Sequence, residues 1–349
     1  MKTSFWSGRR VFLTGHTGFK GSWLSLRLTD LGASVNGYAL APETNPNAFD
    51  LLGVANRTDT VLGDVRDARK LKDAMRAANP DIVLHLAAQP LVRRGYREPH
   101  ETFETNVMGT VNLLEAVRSQ ESVKVILIVT SDKTYANQER RAQREDDPLG
   151  GDDPYSASKA CAEIVAAAYR RSYFADGPWL ATARAGNVIG GGDYNEDRLV
   201  PDLVRASERG DPVVLRYPDA VRPWQFVGDA IEGYLRIVEQ LAGDPTLARA
   251  WNLAPVATGD MTVGELARRF LAIYDPKTPI VVDSTFAPPE APYLALDSTA
   301  AHERLAWRAR YDAIAAIEAT ATWYRARRSG ADVAELTLAQ MRGAVAGVP

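Results

Sequence analysis

Short apolar, β-branched runs alternate with longer stretches of helical periodicity through the first half of the chain, and no other feature limits the possible folds as much. Runs at residues 10–14, 34–39, 59–62, 81–86, 124–130 and 180–184 read as strands; the intervals 22–31, 68–78, 102–119 and 154–174 read as helices. A strand that returns to its sheet through a helix runs parallel to its predecessor, and the helices cover both faces. The pattern therefore specifies an α/β fold, a doubly wound parallel sheet. Past residue 184 the rhythm breaks into Gly- and Pro-containing connections such as GNVIGGGD, RPWQFV and FAPPEAPY. These place a smaller lobe, mainly residues 185–349, over the carboxyl edge of a sheet built from residues 1–184, with segments interleaving. Ligands of such sheets bind at that edge. The stretch 333–348 reads as a last helix.

The size suits that layout, since 349 residues with 46% hydrophobic content bury a large core. A net charge of -3 exerts no long-range pull on nucleic acid or anionic membrane. A single cysteine, Cys161, excludes an internal disulfide and a cysteine metal cluster, and favours a reducing compartment. Metal-ligand spacing is absent. No apolar run reaches the ~18 residues of a membrane span, and residues 1–10 lack the apolar segment of a signal peptide. The expectation is a cytoplasmic protein that engages neither nucleic acid nor membrane.

Three short motifs carry chemistry. TGHTGFKG follows the first strand and opens the first helix, with Gly15, Gly18 and Gly21 spaced Gly-x-x-Gly-x-x-Gly. Glycines at such a turn let a pyrophosphate approach the backbone and sit on the exposed N–H groups of the helix N-terminus. DPYSASK opens a later helix with Tyr155 and Lys159 four residues apart, hence on one face, where an ammonium can lower a phenol's pKa. VTSDKTY sets Asp132 beside Lys133 straight after the 124–130 strand. An isolated Asp-Lys dipeptide is usually a solvated turn. Beside a nucleotide loop and a Tyr/Lys pair, it reads as an acid and a base at the mouth of a sheet.

The glycine loop, HLAAQ at 85–89, ETNVMGT at 104–110, the Tyr155/Lys159 pair and ARAGNVIGGGD at 183–193 resemble the extended short-chain dehydrogenase/reductase family of sugar-nucleotide enzymes over nearly the whole chain. Within that Rossmann-fold family, VTSDKTY, PYSASKACAE, EDRLVPD and RPWQ are similar to the CDP-glucose 4,6-dehydratase branch. The resemblance implies NAD as cofactor, CDP-glucose as substrate and a lyase reaction: oxidation at C4, loss of water across C5–C6, and hydride return to C6. It implies Tyr155 as base for the 4-hydroxyl, Lys133 as base at C5, Asp132 as acid for the departing 6-hydroxyl, and Ser131 and Lys159 as their partners. It assigns the cofactor to Gly15, His16, Gly18, Phe19, Gly21, Asp64, Val65, Ala87, Ala88, Gln89, Asn106, Thr130, Tyr155 and Lys159. The substrate falls to Gln89, Asn187, Arg198, Arg222 and Tyr293, the arginines because a guanidinium fork matches phosphate oxygens.

The chain departs from the family pattern in three places. Tyr38 and Ala39 end the second strand, where an acid usually selects NAD over NADP. His16 sits where smaller residues are common, so its side chain is expected to crowd the glycine turn and hold a pyrophosphate away from the helix. Phe226 follows RPWQ where the family often has His. Helices 102–119 and 154–174, the latter with alanines around its circumference, are expected to pair in a homodimer or a higher homo-oligomer. Other readings remain: an inverting UDP-N-acetylglucosamine 4,6-dehydratase, which also uses an Asp-Lys pair, a dehydratase of another nucleotide hexose, or a nucleotide-binding regulator without turnover.

Overall fold

The computed structural model describes residues 5–136, 141–255, 261–283, 285 and 293–343. Arg10–Thr14 is the first strand of a seven-stranded parallel sheet. Ser34–Ala39 and then Asp59–Leu62 lie on one side of it, and Ile82–His85, Val125–Val129, Trp179–Ala185 and Ala250–Leu253 follow on the other. The order reverses at the first strand, and a ligand crevice opens at such a point. Register brings the carboxyl ends level, with Thr14 opposite both Tyr38 and His85, and Val129 opposite Ala183. The loops that follow these ends therefore meet over one edge. Asp59–Leu62 ends the sheet and is exposed along its whole length.

Alternate residues of each strand feed two apolar layers, as the period of two requires. Phe12, Val83, Ile126 and Ile128 pack on one face. Val11, Leu13, Val125, Leu127 and Val129 pack on the other, in one continuous layer with Trp224, Phe226, Trp251 and Trp323 of the C-terminal half. That shared layer and the seventh strand, Ala250–Leu253, carry the C-terminal half across the boundary expected at residue 184. Phe226 belongs to this core, its ring 5.7 Å from Trp23 and 4.5 Å from Tyr311.

Two helices differ from their expected form in ways that matter for the site. The first begins at Phe19, not at residue 22, so its first turn lies inside the glycine loop. Gly15 has φ +74°, and a Cβ on Gly21 would stand 2.0 Å from the Gly15 carbonyl oxygen. The loop closes this tightly only with glycine at both positions. The expected helix 102–119 is Pro99–Phe103, a π-helical turn Glu104–Met108, and Gly109–Arg118. The wider turn carries Asn106, whose inward amide is described below; π turns recur where a side chain must be re-aimed. The closing helix is Val333–Arg342, and the remainder of its expected span past residue 343 lies outside the described residues.

Candidate active site

A single cleft over the carboxyl ends of the strands is lined by Gly15, Gly18, Phe19, Gly21, Asp64, Val65, Ala87, Ala88 and Gln89, and by Arg198 from the C-terminal half. Gly18 caps the first helix without a side-chain bond, so that helix offers its N-terminal N–H groups rather than a cap. Tyr38, at the position where an acid was missed in the sequence, turns inward and donates to the Asp64 carbonyl at 2.9 Å. The Asp64 carboxylate is held by Arg66 at 2.6 Å.

Four expected cofactor residues, His16, Asn106, Thr130 and Gln89, have their side chains engaged within the protein. The His16 ring is fully buried, edge-on to Phe49, and occupies the space a Cβ on Gly37 would need. Its Nε2 pairs with Thr60 Oγ1 at 3.1 Å, and burial lowers its pKa to about 4. The crowding expectation is thus corrected: the imidazole packs against the second and third strands, at Gly37 and Thr60, and against Phe49, not in the turn. Asn106 accepts from Gln89 N at 2.9 Å and donates to Gln89 O at 3.1 Å and to Ser158 Oγ at 2.8 Å. It fixes the cleft wall from behind. Thr130 donates to Glu163 Oε1 at 2.5 Å. The Gln89 side chain, expected to reach substrate, is engaged by Leu91 N at 2.6 Å and Thr102 Oγ1 at 2.8 Å.

The helix Pro154–Ser172 starts where it does for local reasons. Asp153 accepts from Ser156 N at 3.0 Å as N-cap, and Pro154 takes the first helical position, where its missing N–H costs nothing. Tyr155 and Lys159 consequently stand on successive turns, both buried. Opposite them, Ser131 caps the tight turn Asp132–Thr134, accepting from Lys133 N at 3.2 Å and donating to Asp132 Oδ1 at 3.0 Å. Lys133 Nζ lies 3.6 Å from Asp132 Oδ1 and 3.5 Å from Asn187 Oδ1. Asp132 Oδ2 is buried and has no partner. The structure thus brings Ser131, Asp132, Lys133, Tyr155 and Lys159 together, and places Asn187 beside the Lys133 amine. Arg198 pairs with Asp193 at 3.3 Å. Arg222 is buried, donating to the Val221 carbonyl at 2.9 Å, and Val221 bridges to Tyr293, so these two expected substrate residues are neighbours.

The electrostatics single out a residue that motif reading missed. Lys20, on the first turn of the first helix, lines the cleft. Burial and the Arg198 charge lower its pKa to about 8, against the pull of Asp132 and Asp193. Burial and Lys20 lower Lys159 to about 7, opposed by Glu163. Lys159 Nζ keeps one backbone contact, 3.4 Å to Val129 O. The Tyr155 phenol is raised by burial; its hydrogen bond with Ser131 and the Arg198 charge draw it back down. The sequence signal for Lys20 was a cation inside the glycine loop, FKG, one residue before Gly21. His85 is a satisfied core residue between Thr14 at 2.7 Å and Thr110 at 3.3 Å.

This architecture recurs in known proteins. The sequence profile of the GDP-mannose 4,6 dehydratase family matches residues 12–320. The CDP-glucose 4,6-dehydratase of Salmonella typhimurium is 42% identical over 338 residues, covering 95% of this chain and 94% of the relative. A crystal structure of dTDP-glucose 4,6-dehydratase from Streptomyces venezuelae with NAD bound superposes with a TM-score of 0.78 at 26% identity, over 92% of this chain and 98% of that one. UDP-glucose 4-epimerase from Thermotoga maritima shares the fold at TM-score 0.78 and 21% identity, over 91% of this chain and 99% of that one. By its sequence over nearly the full length, the chain belongs to the GDP-mannose 4,6 dehydratase family.

Proposed function

We propose that the protein converts CDP-glucose to CDP-4-dehydro-6-deoxyglucose and water, with NAD as its cofactor. The observation that carries the reading is the Asp132/Lys133 pair, 3.6 Å apart, set against Ser131, Tyr155 and Lys159. A reaction that only oxidises at C4 has no use for a second acid and base there. The 42% identical relative supports the base and the sugar. The cleft fits a dinucleotide: a Cβ on Gly21 would fill the turn, and the helix end it borders is left without a side-chain cap. Gly15, Gly18 and Phe19 would hold the pyrophosphate, Asp64 and Val65 the adenine, and Ala87 and Ala88 the ribose. The bound NAD would take a hydride from C4 and later deliver it to C6.

The chain's own residues do the rest. Tyr155 accepts the 4-hydroxyl proton while Ser131 holds that oxygen in place. The ketone formed acidifies the C5 hydrogen, which Lys133 removes as Asp132, from its unpartnered Oδ2, protonates the leaving 6-hydroxyl. Lys133 then returns its proton to C5. That sequence leaves Tyr155 one proton richer and Asp132 one poorer. The Ser131 hydroxyl, which donates to Asp132 Oδ1 and acts on the Tyr155 phenol, would close the balance by passing the proton between them. For elimination Lys133 must be neutral and Asp132 protonated. Arg198 and Arg222 are assigned to the diphosphate, and Asn187 serves Lys133.

The protein is further assigned as a cytoplasmic homodimer. No helix among the described residues is long and apolar enough to cross a membrane. Met108 and Ile164, on the two helices expected to pair, are 50% and 57% exposed, as suits a face covered by a second copy. Incubation with CDP-, UDP- and dTDP-glucose in the presence of NAD, read by mass spectrometry, tests the substrate. Loss of 18 mass units from CDP-glucose alone is expected; turnover of only another nucleotide sugar overturns the reading.

A further inference from the structure

The catalytic groups sit on two separate elements. Ser131, Asp132 and Lys133 belong to the turn after the strand Val125–Val129, while Tyr155 and Lys159 belong to the helix Pro154–Ser172. Behind both lies an ion pair that the reaction itself does not use. Glu163 and Arg184 are each 3% exposed, with Arg184 Nη2 2.8 Å from Glu163 Oε2. Glu163 lies one turn beyond Lys159 on the same helix, and Arg184 lies on the strand Trp179–Ala185.

Two of the pair's further bonds reach the two ends of the catalytic turn, besides one from Arg184 Nη1 to the Glu145 carbonyl at 3.1 Å. Glu163 Oε1 accepts from Thr130 Oγ1 at 2.5 Å, immediately before Ser131. Arg184 Nη1 donates to the Tyr135 hydroxyl at 2.7 Å, two residues after Lys133. The Tyr135 hydroxyl donates to Asn252 Oδ1 at 2.6 Å, and Asn252 Nδ2 donates to the Gln143 carbonyl at 2.9 Å. Thr182 completes the Glu163 shell at 2.8 Å. Only four residues separate Thr130 from Tyr135, so fixing both fixes the turn between them.

We infer that Glu163 and Arg184 are positioning residues: the pair clamps Thr130 and Tyr135 and so sets where Asp132 and Lys133 stand relative to Tyr155 and Lys159. A buried ion pair is by itself a poor stabiliser, because desolvating two charges cancels most of their attraction. Geometry is what this one supplies. A point charge on Arg184 cannot replace it, since the guanidinium serves Glu163 and Tyr135 through different nitrogens.

The inference rests on the dehydratase reading, and two arms separate its failure from the failure of that reading. The first measures steady-state turnover of CDP-glucose with saturating NAD in Tyr135→Phe, Thr130→Val and Arg184→Lys, each nearly isosteric or charge-conserving. Misplaced reacting groups cost rate far more than binding, so kcat should fall about tenfold or more while KM and NAD affinity stay within about twofold. In the double variant Tyr135→Phe/Thr130→Val the losses should fall short of multiplying, because both act on one turn. The second arm needs no substrate: amide hydrogen exchange across residues 131–136 should accelerate in the same variants. Wild-type kcat in Arg184→Lys or Tyr135→Phe, with only a lowered melting temperature, overturns the clamp, as does unchanged exchange. A wild-type enzyme inactive on CDP-glucose sinks the substrate assignment, and the exchange arm then decides the clamp alone.

Discussion

Asp132 and Lys133 are sequence neighbours 3.6 Å apart, yet the carboxyl side chain is 3% exposed and the amine 24%. The acid is shut in with one oxygen bound to Ser131 and the other free. The base reaches outward to Asn187. Two adjacent residues thus present an enclosed acid and a more open base, an arrangement that suits elimination across two carbons.

Asn187 should matter through Lys133. Replacing it by Ala removes the oxygen 3.5 Å from Nζ and leaves the amine free to sample other rotamers. Dehydration should slow by about tenfold, less than the ~10²- to 10⁴-fold that a general base itself contributes, because the base is kept and only its placement is loosened, while reduction of bound NAD keeps its wild-type rate. Single-turnover absorbance for the reduced cofactor, alongside quenched-flow analysis of the sugar, measures both. Equal slowing of the two steps would move Asn187 to substrate binding.

Lys20 and Lys159 make apo stability rise with pH. Their folded pKa values, about 8 and about 7, lie below the ordinary 10.5. Between those values the unfolded chain holds protons the native protein has released, so stability increases with pH across that window. The cost of the two buried charges is fully present below about 7 and gone above about 10.5. In Lys20→Met the melting-temperature gain over wild type should therefore be largest near pH 7 and shrink toward pH 10. Relieved of its neighbour's charge, Lys159 should also titrate at higher pH in this variant, measurable by NMR of the labelled amine.

His16 should act on stability. Its ring fills a closed space against Gly37 and Phe49, and His16→Ala leaves a cavity there. A loss of about 2 to 4 kcal/mol is expected, the range for truncating a buried side chain of this size, read by denaturant unfolding. An unchanged midpoint would mean that the ring does not occupy that space.

What the sequence made legible follows from period and punctuation. The strands Arg10–Thr14 and Asp59–Leu62 were readable to the residue because each run stops at a glycine, Gly15 or Gly63, and Ser34–Ala39 has its expected bounds as well. The start of the helix at Pro154 was readable because Asp-Pro is a cap followed by a preferred first residue. The seventh strand, Ala250–Leu253, was not, since four residues with one buried Trp carry no period of their own. Within the site, the motifs named residues but not the direction of side chains. Thr130, His16 and Gln89 turn their side chains inward, and only packing determines that. Lys20 and the Glu163/Arg184 pair escaped because their partners are distant in sequence.

The exposed apolar residues of the two lateral helices predict a dimer. Met108→Glu with Ile164→Glu places like charges on the face where a second copy would sit. Light scattering at micromolar concentration should give a dimer for the wild type and a monomer for the variant. A wild-type monomer would contradict the assignment.

The central claim is that Lys133 takes the C5 proton, and Lys133→Met tests it most directly, since Met keeps the length of the side chain and has no base. Oxidation at C4 relies on Tyr155, Lys159 and Ser131, which that variant retains. Rapid mixing of the NAD-loaded variant with CDP-glucose should therefore show reduced cofactor forming on the enzyme, with the 4-keto hexose accumulating in quenched samples. Dehydrated product should appear about 10² to 10⁴ times more slowly than in wild type. Dehydrated product at the wild-type rate, or no cofactor reduction at all, would contradict the account.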